Sequence, residues 1–87
     1  MGRYRLVFKK SVAKDLRGIP NRDVARILKC FEALSEDPRA SGRERLSGLE
    51  RYRARRGVYR IVYEIRDDVL LVGVARVGQR RDVHRGA

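Results

Sequence analysis

Residues 51 to 77 carry a period-of-two alternation that two short turn signals divide into three runs. Ala54, Tyr59, Ile61, Tyr63, Ile65, Val72 and Val74 occupy one set of positions, and Arg53, Arg55 and Arg60 fall in the alternate set. Successive side chains of a strand point to opposite faces, so this segment is expected to form half-buried strands. The pattern predicts strands at about 51–56, 58–66 and 69–77, with turns at Arg56-Gly57 and Asp67-Asp68. Connections this short imply an antiparallel meander.

Those turns imply a register. An Arg56-Gly57 turn sets Arg55 opposite Val58 and Arg53 opposite Arg60. An Asp67-Asp68 turn sets Ala75 opposite Arg60 and Gly73 opposite Val62. Directly opposed side chains share a face. One face then carries Ala54, Tyr59, Ile61, Tyr63, Ile65, Leu70, Val72 and Val74. The other carries Arg53, Arg55, Val58, Arg60, Val62, Gly73 and Ala75, with Glu64 as an ion-pair partner for a neighbouring arginine. Like charges directly across a strand pair destabilise it. Selection for folding alone gives little reason to gather three arginines over a floor of small residues, so this face is expected to bind phosphate.

The rest of the chain supplies the cover for the apolar face. Tyr4–Phe8 alternates as a strand. Ser11 is placed as the N-cap of a first helix whose stripe is Val12, Ala13 and Leu16, and Gly18-Ile19-Pro20 breaks it. Asn21 is placed as the N-cap of a second helix, with Val24, Ile27, Leu28, Phe31 and Leu34 as its buried stripe. Asp37-Pro38 ends it, because a residue before proline is pushed out of the helical region. Residues 39–50 lack periodicity and are expected to form a loop, tucked onto the body by Leu46 and Leu49. The order β-α-α-β-β-β gives an α+β fold: an antiparallel twisted sheet with two helices on one face, its other face partly open. At 87 residues the chain is a single domain, 1–87.

Twenty-two basic residues against eleven acidic ones give a net charge of +11, and eighteen of the twenty-two are arginine. Arginine offers a planar, bidentate fit to phosphate and stacks on bases. The charge therefore points to a polyanionic partner. A membrane surface is disfavoured, because no long basic amphipathic helix is present. The apolar run at the start is too short for a signal peptide or a membrane span. Cys30 is the lone cysteine, which rules out an internal disulfide or a cysteine-built zinc site; it is expected to be a small packing residue. No cofactor and no metal are expected, and the expected compartment is the cytoplasm.

The segment Tyr52–Ile65, then Asp67-Asp68, then Arg76-Val-Gly-Gln-Arg-Arg-Asp-Val-His-Arg85 resembles the RelE/ParE superfamily of type II toxin–antitoxin toxins, most closely its RelE branch. Tyr4–Phe8, Ala13–Leu16, Asp37-Pro38 and Leu46-Ser-Gly-Leu49 fall in family positions, so the likeness spans nearly the whole chain. It implies a RelE-like microbial RNase fold. It also implies an mRNA endoribonuclease acting in the ribosomal A site, where the RNA 2′-hydroxyl attacks the adjacent phosphate and leaves a 2′,3′-cyclic phosphate and a 5′-hydroxyl.

Carried residue by residue, the resemblance makes Arg60, Arg80, His84 and Arg55 catalytic. Arg53, Arg56, Arg81 and Arg85 become contacts to RNA phosphates. Arg60 and Arg80 suit the charge that develops on the transferring phosphoryl oxygens. His84 is the one side chain with an ordinary pKa near neutrality and suits a general acid to the leaving 5′-oxygen, or a base-stacking role. Arginine stands where the family has lysine in the first strand of the meander, and guanidinium stays protonated, so a general base is not assigned there. The partners implied are a cognate antitoxin, whose acidic, partly disordered segment folds across the sheet, together with the ribosome and mRNA. The toxin is expected to be a monomer within a hetero-oligomeric toxin–antitoxin complex. Two other functions fit the same fold: a ParE-like inhibitor of DNA gyrase, and an RNA-binding module that has lost catalysis.

Overall fold

The computed structural model describes residues 3–40, 43–46 and 51–79. Strand β1 (Arg5–Phe8) leads into helix α1 (Lys10–Arg17) and helix α2 (Asn21–Glu36). Four strands follow: β2 (Glu44–Arg45), β3 (Arg51–Arg56), β4 (Tyr59–Arg66) and β5 (Leu71–Gln79), with a single 3₁₀ turn at Asp67–Val69 between the last two. They form one five-stranded sheet in the order β1-β5-β4-β3-β2. The α+β class and the helix–helix–meander order are as the sequence predicts.

Two strands correct the expected sheet. β1 runs parallel to β5, Arg5 beside Leu71 through Phe8 beside Val74, so the sheet is mixed rather than wholly antiparallel. The Arg5 N–H donates to the Leu70 carbonyl at 2.8 Å and the Lys9 N–H to the Val74 carbonyl at 3.0 Å, closing the two ends of this pairing. Within the stretch expected to be loop, Glu44–Arg45 adds a short strand opposite Arg53 and Tyr52. Leu49 lies outside the described residues.

Both helices begin one residue or more before their expected starts. Lys9 and Pro20 hold the cap positions, and neither makes a side-chain cap bond. Ser11 is thus inside α1, and Asn21 is the first residue of α2. At α2 the carbonyl of Pro20 takes the N–H groups of Asp23 and Val24 at 2.9 and 3.0 Å, and proline's fixed φ suits this entry. At its other end Asp37 has left the helical region, φ −149° and ψ 87°, just ahead of Pro38 as expected.

The core is a layer between α1 and α2 and the helix-side face of the sheet. Val12, Ile27, Leu34, Ile61, Tyr63, Ile65, Val72 and Val74 are all but fully buried. Each such aliphatic side chain contributes about 1.5–3 kcal/mol by leaving water. The buried arc of α2 runs through Ile27, Cys30, Phe31 and Leu34. Leu28 is 49% exposed, which corrects its place in the predicted stripe: it lies about 100° round the helix from Ile27. Ala13 of α1 is likewise exposed.

The turns shift the predicted register without scrambling the faces. The β3–β4 turn is Gly57-Val58, so Arg55 faces Arg60 and Arg53 faces Val62, two residues from the expected pairing. Only Gly57 of the two has positive φ, +61°, the pattern of a type II′ turn. A shift of two preserves which side each residue faces, so Ala54 still joins the core, and Tyr52, absent from the predicted set, is buried with it. Asp67-Asp68 is not a two-residue turn. The 3₁₀ turn hands over to Leu70 in the left-handed region, φ 48° and ψ 57°, and Leu70 is 42% exposed rather than in the core. Beyond it Tyr63 faces Val74, and a bulge at Val62/Tyr63 then moves Val62 opposite Arg76 and Arg60 opposite Gly78. Ala75 and Gly73 do not take the expected places opposite Arg60 and Val62. The extra residue turns Val77 inward, where it is 2% exposed.

Two polar ties fasten the ends of the elements. The buried Tyr63 hydroxyl donates to the Pro38 carbonyl at 2.6 Å, and burial pushes its pKa up to about 12. Asp67 takes a two-pronged Arg39 guanidinium at 3.0 and 2.8 Å and the Tyr4 hydroxyl at 2.8 Å, joining the segment after α2, the start of β1 and the β4–β5 turn. Among the described residues no helix is long and apolar enough to cross a membrane.

Candidate nucleic-acid interface

β3 and β4 place three of the predicted arginines on one face. Arg55 and Arg60 are directly opposite, and Arg53 is two residues along, between Val62 on one side and Glu44 on the other. Directly opposed Cβ atoms in an antiparallel pair are about 4.5–5.5 Å apart. The floor beside them is small: Gly78 neighbours Arg60, and Gly73 neighbours Glu64. The middle of this face is less open than the sequence predicts, since Arg60 is 5% exposed and Val62 8%. Arg53 is half-buried and Arg55 exposed.

Two carboxylates meet this basic face. Glu64 accepts from Arg51 Nη2 at 3.0 Å, the ion pair expected of it. Glu44 accepts from Arg53 Nε at 3.1 Å and from Arg53 Nη2. That hydrogen bonding, the Arg53 charge, and the charges of Arg55 and Arg60 hold the Glu44 carboxyl below its ordinary value. Glu44 is the residue the sequence pattern missed. It sits between two arginines in a stretch without periodicity, and nothing local shows that this stretch returns to pair with β3.

The other predicted residues divide in two. Arg56 falls on the opposite face from Arg55, at the hairpin end, where it lines a cleft of about 540 Å³ with Asp23, Arg26, Ile27, Val58 and Tyr59. Arg80, Arg81, His84 and Arg85 lie outside the described residues. Cys30 is buried and free, and burial pushes its thiol pKa up, as befits a packing residue. Among the described residues no three His, Cys, Asp or Glu side chains gather as metal ligands.

Chemically, the Arg53, Arg55 and Arg60 guanidiniums are permanent cations with several fixed donors each. Such a group can hold phosphate oxygens and stabilise charge on them. It cannot remove a proton.

The chain is similar to proteins with matching architecture. The profile of the family described as "ParE toxin of type II toxin-antitoxin system, parDE" matches residues 6–84. Toxin RelG of Mycobacterium tuberculosis is 35% identical, with 94% of this chain and 97% of that protein covered. The RelBE2 toxin–antitoxin complex of M. tuberculosis contains a chain that matches with a TM-score of 0.76 at 33% identity, covering 88% of this chain and 98% of that one. A chain of the intact Escherichia coli RelBE complex matches with a TM-score of 0.77 at 26% identity, covering 87% and 95%. Sequence likeness over almost the full length and a shared fold agree, and the chain belongs to the RelE/ParE superfamily of type II toxin–antitoxin toxins.

Proposed function

We propose that this toxin is an mRNA endoribonuclease that cleaves in the ribosomal A site and so arrests translation. The observation that carries the proposal is the gathering of Arg53, Arg55 and Arg60 on one sheet face, two of them directly opposed at a cost to the hairpin. In the proposed reaction the RNA 2′-oxygen forms a bond to phosphorus, the bond from phosphorus to the 5′-oxygen breaks, and a 2′,3′-cyclic phosphate results. Arg60 and Arg80 hold the phosphoryl oxygens as negative charge builds on them, Arg53 and Arg55 hold flanking phosphates, Arg55 also polarising the attacking 2′-hydroxyl, and Arg81 and Arg85 extend the contact. His84 gives its proton to the departing 5′-oxygen, and solvent accepts the 2′-hydroxyl proton. Arg56, on the other face, is assigned a longer-range attraction for RNA rather than a contact in this cluster. The partners proposed are the ribosome, mRNA and a cognate antitoxin, in keeping with the relatives solved as RelB–RelE complexes, and the compartment is the cytoplasm.

A second function, inhibition of DNA gyrase, is favoured by the description of the matching family as a ParE toxin. Induced expression with mapping of mRNA 5′ ends separates the two. The nuclease predicts new 5′ ends inside translated codons, lost in Arg60→Ala and in His84→Ala. Gyrase-dependent DNA breakage with unchanged mRNA ends would replace this proposal with the second.

A further inference from the structure

The Glu44 carboxylate takes up donor groups of the Arg53 guanidinium. Two of its donor nitrogens, Nε and Nη2, are directed at one oxygen, Glu44 Oε2. The Arg53 side chain is 16% exposed while that of Glu44 is 57% exposed. The acid is therefore the more exposed member of the pair. β2, which carries Glu44, is a two-residue strand at the sheet's rim, held to β3 by the pairs Glu44–Arg53 and Arg45–Tyr52. The Leu46 N–H to the Arg51 carbonyl at 2.8 Å adds one more bond to this attachment. Few backbone bonds therefore need to break for Glu44 to leave Arg53.

A carboxylate and a phosphate diester present the same chemistry to guanidinium: anionic oxygens that accept paired N–H bonds. The two cannot both take the same donors. The charges of Arg55 and Arg60 also act on Glu44, so its carboxylate offsets part of the field of the whole cluster.

We propose that Glu44 is a built-in competitor for RNA phosphate: it masks Arg53 in the free toxin, and binding of an RNA phosphate at β3 displaces it. The proposal rests on the phosphate-binding reading of this face. Its consequence is that the toxin's affinity for RNA is held below what its arginines would give. Binding outside the proper site, where a single weak phosphate contact is on offer, is selected against. A full array of contacts is needed to exchange the internal anion for the external one.

The test uses the full chain and a fluorescent single-stranded oligonucleotide with 2′-O-methyl riboses, which binds but cannot be cleaved. Anisotropy is measured for wild type, Glu44→Gln, Arg53→Ala and the double variant over a series of salt concentrations, with Glu36→Gln as a charge-matched control on the exposed end of α2. Glu44→Gln should bind about two- to fivefold more tightly, the range set by loss of an exposed ion pair. Its log–log salt slope should steepen by about 0.7, the value for one further phosphate on a single strand. Glu36→Gln should change little, and the gain from Glu44→Gln should vanish once Arg53 is alanine. Equal gains in Glu36→Gln and Glu44→Gln would overturn the proposal in favour of net charge alone. So would unchanged binding in Glu44→Gln; if cleavage of mRNA on translating ribosomes were lost with it, Glu44 would be a proton acceptor instead. Failure of every variant and the wild type to bind the oligonucleotide would remove the phosphate-binding reading itself, and this proposal with it.

Discussion

Arg55 stands directly opposite Arg60 across the β3–β4 hairpin, two like charges in the position where a sheet most wants an attractive pair. Arg60 is buried and Arg55 exposed, so the repulsion is relieved most simply at Arg55. Arg55→Gln should stabilise the fold by about 0.2–1 kcal/mol, the scale of one cross-strand pair. It should also weaken RNA binding and flatten the salt slope by about 0.7. Urea unfolding and salt-dependent anisotropy on the same variant check both halves, and a variant that loses stability would show that Arg55 serves the fold rather than a ligand.

Tyr63 links the centre of the sheet to the end of α2 through its hydroxyl bond to the Pro38 carbonyl. Tyr63→Phe keeps the ring, its stacking on Tyr52 at 5.8 Å, and the packing. It should cost about 0.5–1.5 kcal/mol, the usual net value of one such bond. The pH dependence has a definite sign. The folded pKa, about 12, lies above the ordinary 10.0, so between those values the folded state holds a proton that the unfolded state has lost. Stability from this group is complete below pH 10.0 and falls as pH rises through about 12. Denaturant midpoints followed into alkali should therefore decline less steeply in Tyr63→Phe than in wild type. Some decline should remain, because Tyr4 and Tyr59 are also raised.

Asp67 behaves in the opposite sense. Its bonds from Arg39 and then from Tyr4 hold its pKa below the ordinary 3.8. The unfolded state binds the proton first as acid is added, so the stabilisation is complete above pH 3.8 and disappears as pH falls through the lower folded value. Asp67→Asn should lower stability at neutral pH and flatten the acid limb measured between about pH 2 and pH 6. An acid limb identical to wild type would mean that other carboxylates carry it.

Gly57 has φ +61° and nothing within 4 Å of where a Cβ would stand. The penalty for a side chain there is conformational only. Gly57→Ala should cost about 1–2 kcal/mol, and Gly57→Asn less, because asparagine tolerates the left-handed region better. Equal midpoints for the two in thermal unfolding would contradict this account of the turn.

The hairpin shows how far the amino-acid pattern reaches. Alternation correctly placed Ala54, Ile61, Tyr63, Ile65, Val72 and Val74 inside and Arg53, Arg55 and Arg60 on the far face. Register was not legible to the same degree. Both Arg56-Gly57 and Gly57-Val58 are acceptable turns on local grounds, and the choice between them moves Arg53 from Arg60 to Val62 while leaving its face unchanged. The bulge at Val62/Tyr63 has no local signature: it turns Val77 inward, where the Val77 N–H donates to Asp15 Oδ2 at 3.1 Å, a partner sixty-two residues away. The parallel partnership of β1 with β5 joins residues more than sixty apart, and the Glu44–Arg53 contact depends on a return that periodicity does not encode. Leu28 falls outside the buried arc because a helix stripe read from residue type alone has a blurred edge, and the sheet decides where the cover ends.

Among the described residues both rims of the sheet are short: β1 supplies four residues and β2 two. A strand arriving from another molecule needs a run of unpaired backbone donors and acceptors to grip, and rims of this length present few. Such edges give the sheet of a second copy little to pair with. Any peptide that does settle alongside them must draw its hold chiefly from side chains, which is a demand for a matched partner rather than for any extended chain.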